Sequence, residues 1–220
     1  MNLQVKLFLK EDLFMEKVCQ DWSKEAFDSK LVNASYWDEF AQNAKMASAE
    51  IIRVANMASA ARELQRISDE LEAHKVLAVG GDENPALQQV YKQLAESGVT
   101  VYTDKFDIAE QAPTADLGIS IAEFGVGETG SVCVDTFSYE SRVTGMLPPV
   151  HVVFMNSAHT VKNVQTAFQI ISRVFRQGYM GFITGPSRTA DIERVLSLGV
   201  HGPGRFIIMA VDEDFEGGEH

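Results

Sequence analysis

Three short stretches gather the residues that could do chemistry. Gly125-Val126-Gly127-Glu128-Thr129-Gly130-Ser131 sets a single carboxylate in a glycine-rich turn. Gly181-Phe182-Ile183-Thr184-Gly185-Pro186-Ser187-Arg188-Thr189-Ala190-Asp191-Ile192-Glu193 joins hydroxyls to a guanidinium. Gly199-Val200-His201-Gly202-Pro203-Gly204 holds a histidine among glycines. Each follows or joins an apolar, β-branched run. Glycine lets a backbone turn tightly and approach a ligand closely. Three such turns in one part of a small domain predict loops converging on one site.

Each stretch admits two readings. Glu128, between Gly127 and Thr129-Gly130, is either the water-facing acid of a tight turn or a carboxylate held as base, nucleophile or ligand contact. Glu123 lies in the same segment, so the two carboxylates could approach and shift each other's pKa. The run from Thr184 to Asp191 follows a strand and reads as the opening of a helix. Free N–H groups there, with the helix dipole, favour an anion. Arg188 adds a planar fork for phosphate or carboxylate, with Gly185, Ser187 and Thr189 beside it. The plainer reading makes Ser187 or Thr189 an N-cap, with Asp191 suiting the first turn; the two are compatible. The run is neither a Walker loop nor a Gly-x-Gly-x-x-Gly fingerprint. His201 is a hydrogen-bonded structural residue or an acid–base group. Arg142, ahead of Leu147-Pro148-Pro149, is a salt-bridge partner or a ligand clamp. His151 and His159 flank the next strand, but no carboxylate stands at ligand spacing, so they are not read as metal ligands.

The elements that must position these groups are visible in the periodicity. Residues 1–74 read as largely helical. Leu13 to Phe27 carries apolar residues at uneven helical spacing, and Asp38 to Ala49 is alanine-rich. Ile51, Ile52 and Val54 either continue that helix or form a short strand. Ala61, Leu64, Ile67 and Leu71, three or four apart, mark an amphipathic helix. From residue 75 the rhythm changes. Val76 to Val79 is a buried strand ended by Gly80-Gly81. Pro85 to Ser97 is a helix with proline in its first turn and Gly98 past its end. Val99 to Tyr102 is the next strand. Short loops in a β–α–β order predict a parallel sheet. Residues 104–115 read as a polar linker. Strands follow at Leu117–Ile121, Ser131–Val134, His151–Met155, Gly181–Thr184 and Phe206–Val211, with a long amphipathic helix from Val161 to Arg176. The acidic end, Asp212 to His220, reads as mobile.

The chain has 220 residues, 45% of them hydrophobic and 23% charged, enough for one domain with a sizeable core. A net charge of −12 opposes nucleic acid and anionic membranes. An anionic ligand must then be held by a local cluster of backbone N–H groups and arginine. The two cysteines, Cys19 and Cys133, are too few for an all-cysteine iron–sulfur cluster. Both read as small buried hydrophobes. Lys6, Lys10, Glu11 and Asp12 interrupt the first apolar run, which is therefore neither a signal peptide nor a membrane span. A cytoplasmic location is expected.

Together these stretches resemble the LUD (lactate-utilization) domain family, of the lactate utilization protein C type. The resemblance rests on Ala115-Asp116-Leu117-Gly118-Ile119-Ser120, Gly127 to Ser131, Leu147-Pro148-Pro149-Val150-His151, Ile183 to Glu193 and Gly199 to Pro203. It covers roughly residues 75–212; residues 1–50 match only loosely. It implies an α/β fold similar to the ribose-phosphate isomerase, CoA-transferase and formyltetrahydrofolate cyclo-ligase group. That fold has a mostly parallel sheet with helices on both faces. The expected organisation is an N-terminal helical extension over residues 1–50, a LUD-type α/β domain over 51–212 and an acidic tail over 213–220. The resemblance also implies one component of a system that oxidises L-lactate to pyruvate, with iron–sulfur clusters in partner proteins and none bound by this chain alone. Whether the chain is itself catalytic stays open. The expected ligand is a small anion, near Glu128, Arg188 and His201. Two alternatives stand beside this. One is a free-standing enzyme on a phosphorylated, CoA- or folate-like substrate, with Glu128 as acid, base or nucleophile. The other is a scaffold that binds only protein partners.

Overall fold

The computed structural model describes residues 16–17, 31–177, 179–186, 188–190, 196–198 and 201–215. Along the chain these form β1 (Glu16–Lys17), α1 (Trp37–Met46), β2 (Glu50–Val54), α2 (Met57–Glu70), β3 (Lys75–Ala78), α3 (Pro85–Glu96), β4 (Thr100–Tyr102) and α4 (Lys105–Gln111). There follow β5 (Leu117–Val126), β6 (Ser131–Asp135), α5 (Tyr139–Met146), β7 (Val150–Asn156), β8 (Thr160–Val161), α6 (Val164–Val174), β9 (Phe175–Gln177) and β10 (Met180–Ile183). The last three strands are β11 (Arg188–Ala190), β12 (Leu196–Leu198) and β13 (Arg205–Val211).

β5 organises the sheet because its two halves have different neighbours. Leu117 to Ile121 lies between β3 and β7, parallel to both. With β4 beside β3, and β13 and β2 beyond β7, this half belongs to a run of six parallel strands. Ala122 to Val126 lies instead between β6, antiparallel, and β8, parallel. The register shifts between Ala122 and Phe124, where the strand changes partners. β10 adds to β6 in antiparallel register. The fold is α/β with a mostly parallel sheet, as the β–α–β rhythm predicts.

Alternating side chains build a core on each face of that sheet. Val152, Phe154, Ile207, Met209 and Val211 pack against α2 and α3 on one face. Val153, Met155, Phe206, Ile208 and Ala210 pack with Trp37, Phe40 and Ala44 of α1 on the other. Strands covered on both sides have no polar face to show, which is why β7 and β13 read as continuous apolar runs. α6 covers the far half of β5 through Ala167, Ile170 and Val174. Asn56, Asn84, Asp104 and Ser138 each accept a backbone N–H at the start of the helix they precede.

Several expectations need correction. Residues 104–115 are not a linker: Asp104 caps α4, and Ile108 and Ala112 are buried against Leu77 and Val143. α5 stands where periodicity showed nothing, because a short helix buries only Glu140, Val143 and Thr144. Glu50 to Val54 is a strand, pairing in parallel with β13. Glu16–Lys17 is extended and pairs with Phe175–Gln177. The rest of the Leu13–Phe27 helix lies outside the described residues. The helix expected over Val161–Arg176 is shorter, with strands β8 and β9 at its ends. The tail does not begin free: Asp212 bonds Arg53 and Ser157, Glu213 accepts from Met57 N, and Phe215 is buried. Residues 216–220 lie outside the described residues. Among those described, no helix is long and apolar enough to cross a membrane.

Candidate functional site

Gly125, Gly130 and Gly185 of the first two stretches face α1 or its C-terminal end. A Cβ on Gly125 would lie 2.8 Å from the Phe40 ring, and one on Gly130 would lie 2.1 Å from Ala44 N. One on Gly185 would lie 2.3 Å from Ala47 O. Gly127 is 3.1 Å, by the same measure, from Lys162 O and 3.3 Å from Glu39 Oε2. Phe40, Ala44 and Ala47 follow one side of α1 and its C-terminal end. The turns lie flush on that side, and Gly130 also needs its φ of +68°. Asn43 Nδ2 fastens the first turn by donating to Gly127 O at 2.8 Å and Glu128 O at 3.2 Å. Ser131 Oγ and Thr184 Oγ1, 2.8 Å apart, tie the first stretch to the second.

Glu128 is exposed at the tip of this β5–β6 hairpin. Its N–H donates to Lys162 O, and its Oε2 accepts from Val164 N at 3.1 Å. Val164 opens α6, so the carboxylate caps a helix and meets the positive end of its dipole. Thr129 Oγ1 accepts from Ser131 N. Glu123 is buried, and with Asp135 it adds to the burial that pushes the Cys133 thiol well up. Cys133, enclosed by Phe124, Val126 and α6, packs as a small hydrophobe. Among the described residues, no three His, Cys, Asp or Glu come together as a metal-binding group.

The second stretch departs from expectation. Arg188 to Ala190 is extended and pairs with Leu196 to Leu198 as an antiparallel ladder. These three residues therefore do not open the helix that the sequence predicts there. Ser187 and Asp191 lie outside the described residues. Arg142 Nη1 donates to Thr136 O at 2.7 Å and Phe137 O at 2.8 Å, fastening the turn into its own helix. His201 is exposed beside Gly202, whose φ is +85°. Its loop closes where Gly204 N and Arg205 N both donate to Pro149 O. That junction sits at the start of β7 and β13, whereas Glu128 follows the end of β5, which runs parallel to them. The structure therefore joins the first stretch to the second, and the proline turn to the third. It does not bring Glu128 and His201 together.

Sequence reasoning passed over a different group. His151, on β7, is fully buried with its ring 5.4 Å from that of Phe206. Its Nε2 lies 2.7 Å from Ser120 Oγ on the neighbouring β5. Burial lowers its pKa to about 4, so the ring is neutral at ordinary pH. His151 Nδ1 has no partner, and neither does the buried Oγ1 of Thr144 on α5. α5 reaches this place by backbone contact, since a Cβ on Gly118 would lie 2.1 Å from Thr144 O. One signal was present: Ser120 and His151 are the polar residues inside apolar runs that read as buried strands.

The LUD domain model matches residues 37–211 of the chain. Lactate utilization protein C of Shouchella clausii is 32% identical over 108 residues, 47% of each chain. Lactate utilization protein C 1 of Bacillus mycoides is 30% identical over 115 residues, 50% of this chain and 49% of its own length. Lactate utilization protein C of Halalkalibacterium halodurans is 27% identical over 158 residues, 68% of this chain and 69% of its own. The chain thus spans about half the length of the first two relatives. A DUF162 family protein from Deinococcus radiodurans, known from its crystal structure, shares the fold with a TM-score of 0.54 at 19% identity. The match covers 81% of this chain and 97% of that one.

Proposed function

On the premise that this chain belongs to the LUD domain family, we propose that it serves lactate utilization as the component without a cluster of an L-lactate-oxidising system. The observation that supports this reading is the run of relatives named lactate utilization protein C. In this proposal the protein is cytoplasmic and works beside partners that carry iron–sulfur clusters and pass on the electrons of L-lactate oxidised to pyruvate. Its own part is to bind a small anion, substrate or product, by residues of this chain. Arg188, Thr189 and His201 are proposed as its contacts. Glu128 keeps its capping task whether or not its carboxylate is also used.

Affinity purification from cells grown on L-lactate tests the assignment. The tagged chain is expected to bring down iron–sulfur proteins, while the chain alone is colourless and free of stoichiometric iron. Recovery of the chain without such partners, in cells that still need it for growth on L-lactate, contradicts the proposal. Two variants test the residues. Arg188→Ala is expected to weaken binding of the anion about tenfold or more, the scale of one charge-assisted contact. Glu128→Gln keeps shape and removes charge. Slower growth on L-lactate with unchanged folding assigns the carboxylate a chemical use; unchanged growth returns it to capping alone.

A further inference from the structure

β10 ends the sheet. It pairs with β6 on one side and, among the described residues, with no strand on the other. Just before it, Tyr179 O accepts from Thr136 N at 2.9 Å. Gly181 and Ile183 continue that register opposite Val134 and Val132. Backbone groups alternate in direction along a strand, so the N–H and C=O of Met180 and Phe182 point away from β6, to the open edge. Natural sheets blunt such an edge with lysine, proline, a bulge or a covering segment. Met180-Gly181-Phe182-Ile183 has neither charge nor proline, and its register with β6 runs without a shift.

Large apolar side chains stay exposed around this strand. On the face it shares with α6, the Phe182 ring lies 5.9 Å from that of Phe168. On the other face Ile183 borders Gly145, and Met146 and Leu147 follow directly. Tyr179 precedes the strand. Beyond its end Gly185 abuts Ala47, the neighbour of Met46. Phe168, Phe182, Met146, Leu147, Tyr179 and Met46 are each between 37% and 68% exposed. Together they offer about 700 Å², against the roughly 800 Å² that each partner brings to a standard interface. Charge is sorted the same way. The chain has 31 Asp and Glu, yet β10 and α6 contain none, and the one on α5, Glu140, is buried.

We propose that two copies of this chain join edge to edge through β10, antiparallel about a twofold axis. Two chains of net charge −12 repel one another, and this face lets them meet without opposing carboxylates. A twofold axis perpendicular to the sheet keeps each face on its own side, so residues that oppose one another must share a face. Pairing Phe182 with its own copy meets that condition, with Gly181 facing Ile183. Each Phe182 N–H then donates to the carbonyl of the other Phe182, which uses the backbone groups the open edge presents. On the α6 side the two Phe168–Phe182 pairs form one aromatic cluster. Met146 and Leu147 of each copy cover the opposite side. The contact concerns the surface and stands apart from the lactate assignment.

Sedimentation velocity of the full chain, from low to high micromolar concentration, tests this together with amide hydrogen exchange. The expected result is a reversible dimer, with exchange at the Phe182 amide slowing as the dimer fills. Phe182→Lys puts two charges face to face and is expected to weaken association about thirtyfold or more, the scale of a central interface residue. Phe168→Glu, on the exposed side of α6, is expected to do the same from a helix rather than from the strand. Both are exposed positions, so Tm at a dilution where the parent is monomeric is expected to stay level. Phe106→Lys, an exposed phenylalanine of α4, is expected to leave the dimer intact. The proposal is overturned if the parent stays monomeric throughout, or if Phe182→Lys and Phe168→Glu dimerise as well as the parent. It is equally overturned if Phe182 gains protection only when iron–sulfur proteins are added, since the face then belongs to a different partner.

Discussion

The hairpin and loop that lie on α1 and the junction of α5 with β7 use glycine for opposite ends. Along α1, the space a Cβ would need is already taken, by the Phe40 ring, Ala44 N and Ala47 O. At Gly145 that space is free, and a buried imidazole with an unspent nitrogen borders it. Glycine in a sequence announces close approach, but not what approaches. The first region is dense in signature residues, and its glycines pack against α1 and the residue that follows it. The second contributes one glycine and one histidine to the sequence and retains unused hydrogen-bonding capacity.

The comparison breaks most visibly at Gly185. Gly185→Ala forces a methyl against the Ala47 carbonyl, and backbone there cannot step aside as a side chain can. A loss of about 3 kcal/mol is expected, at the upper end of what overpacking costs, read as a lower urea midpoint at constant slope. A variant as stable as the parent would free this loop from α1 and return Gly185 to ligand binding.

A comparable effect is expected from pH at the second region. A histidine whose folded pKa is depressed takes up its proton more readily in the unfolded chain. Its contribution is complete above the ordinary value of 6.5, falls away as pH drops, and is exhausted near the folded value of about 4. The loss over that window sums to about 3 kcal/mol. His151→Gln is therefore expected to flatten the dependence of Tm on pH between 7 and 4. Equal slopes in the two proteins would mean that His151 is not held neutral by burial.

The smallest effect belongs to the Glu128 carboxylate. Glu128→Gln retains an oxygen for Val164 N and is expected to change stability by no more than about 0.5 kcal/mol. Glu128→Ala removes the acceptor of Val164 N while Asn163 still caps α6, and is expected to cost about 1 kcal/mol. If the two variants unfold alike, capping of α6 is not the task of this side chain.

Much of the fold was legible because the sheet is covered on both faces. Runs such as His151–Met155 and Phe206–Val211 have no reason to be polar, and Pro85 and Gly98 punctuate the helix between two strands. α4 and α5 were missed because each is short and buries few residues, so neither repeats a pattern long enough to read. Arg188 to Ala190 was misread because the caps of a helix and the polar residues of a hairpin draw on the same side chains. Of the site, the glycines were found and their partner was not, since α1 lies some eighty residues away from Gly127 in the chain. His151 was seen and set aside, because only the folded structure puts Ser120 on one ring nitrogen and leaves the other bare.

The central claim, that one set of glycines is filled by the fold and Gly145 is not, is tested most directly by unfolding Gly130→Ala and Gly145→Ala side by side in urea. Gly130→Ala sets a Cβ 2.1 Å from Ala44 N at a φ of +68° and is expected to lose several kcal/mol, about 3 or more. Gly145→Ala places a methyl at contact distance inside a helix and is expected to gain up to about 1 kcal/mol. Opposite signs support the account. Destabilisation of both to a similar degree would contradict it, because the space beside His151 would then be as full as the space along α1.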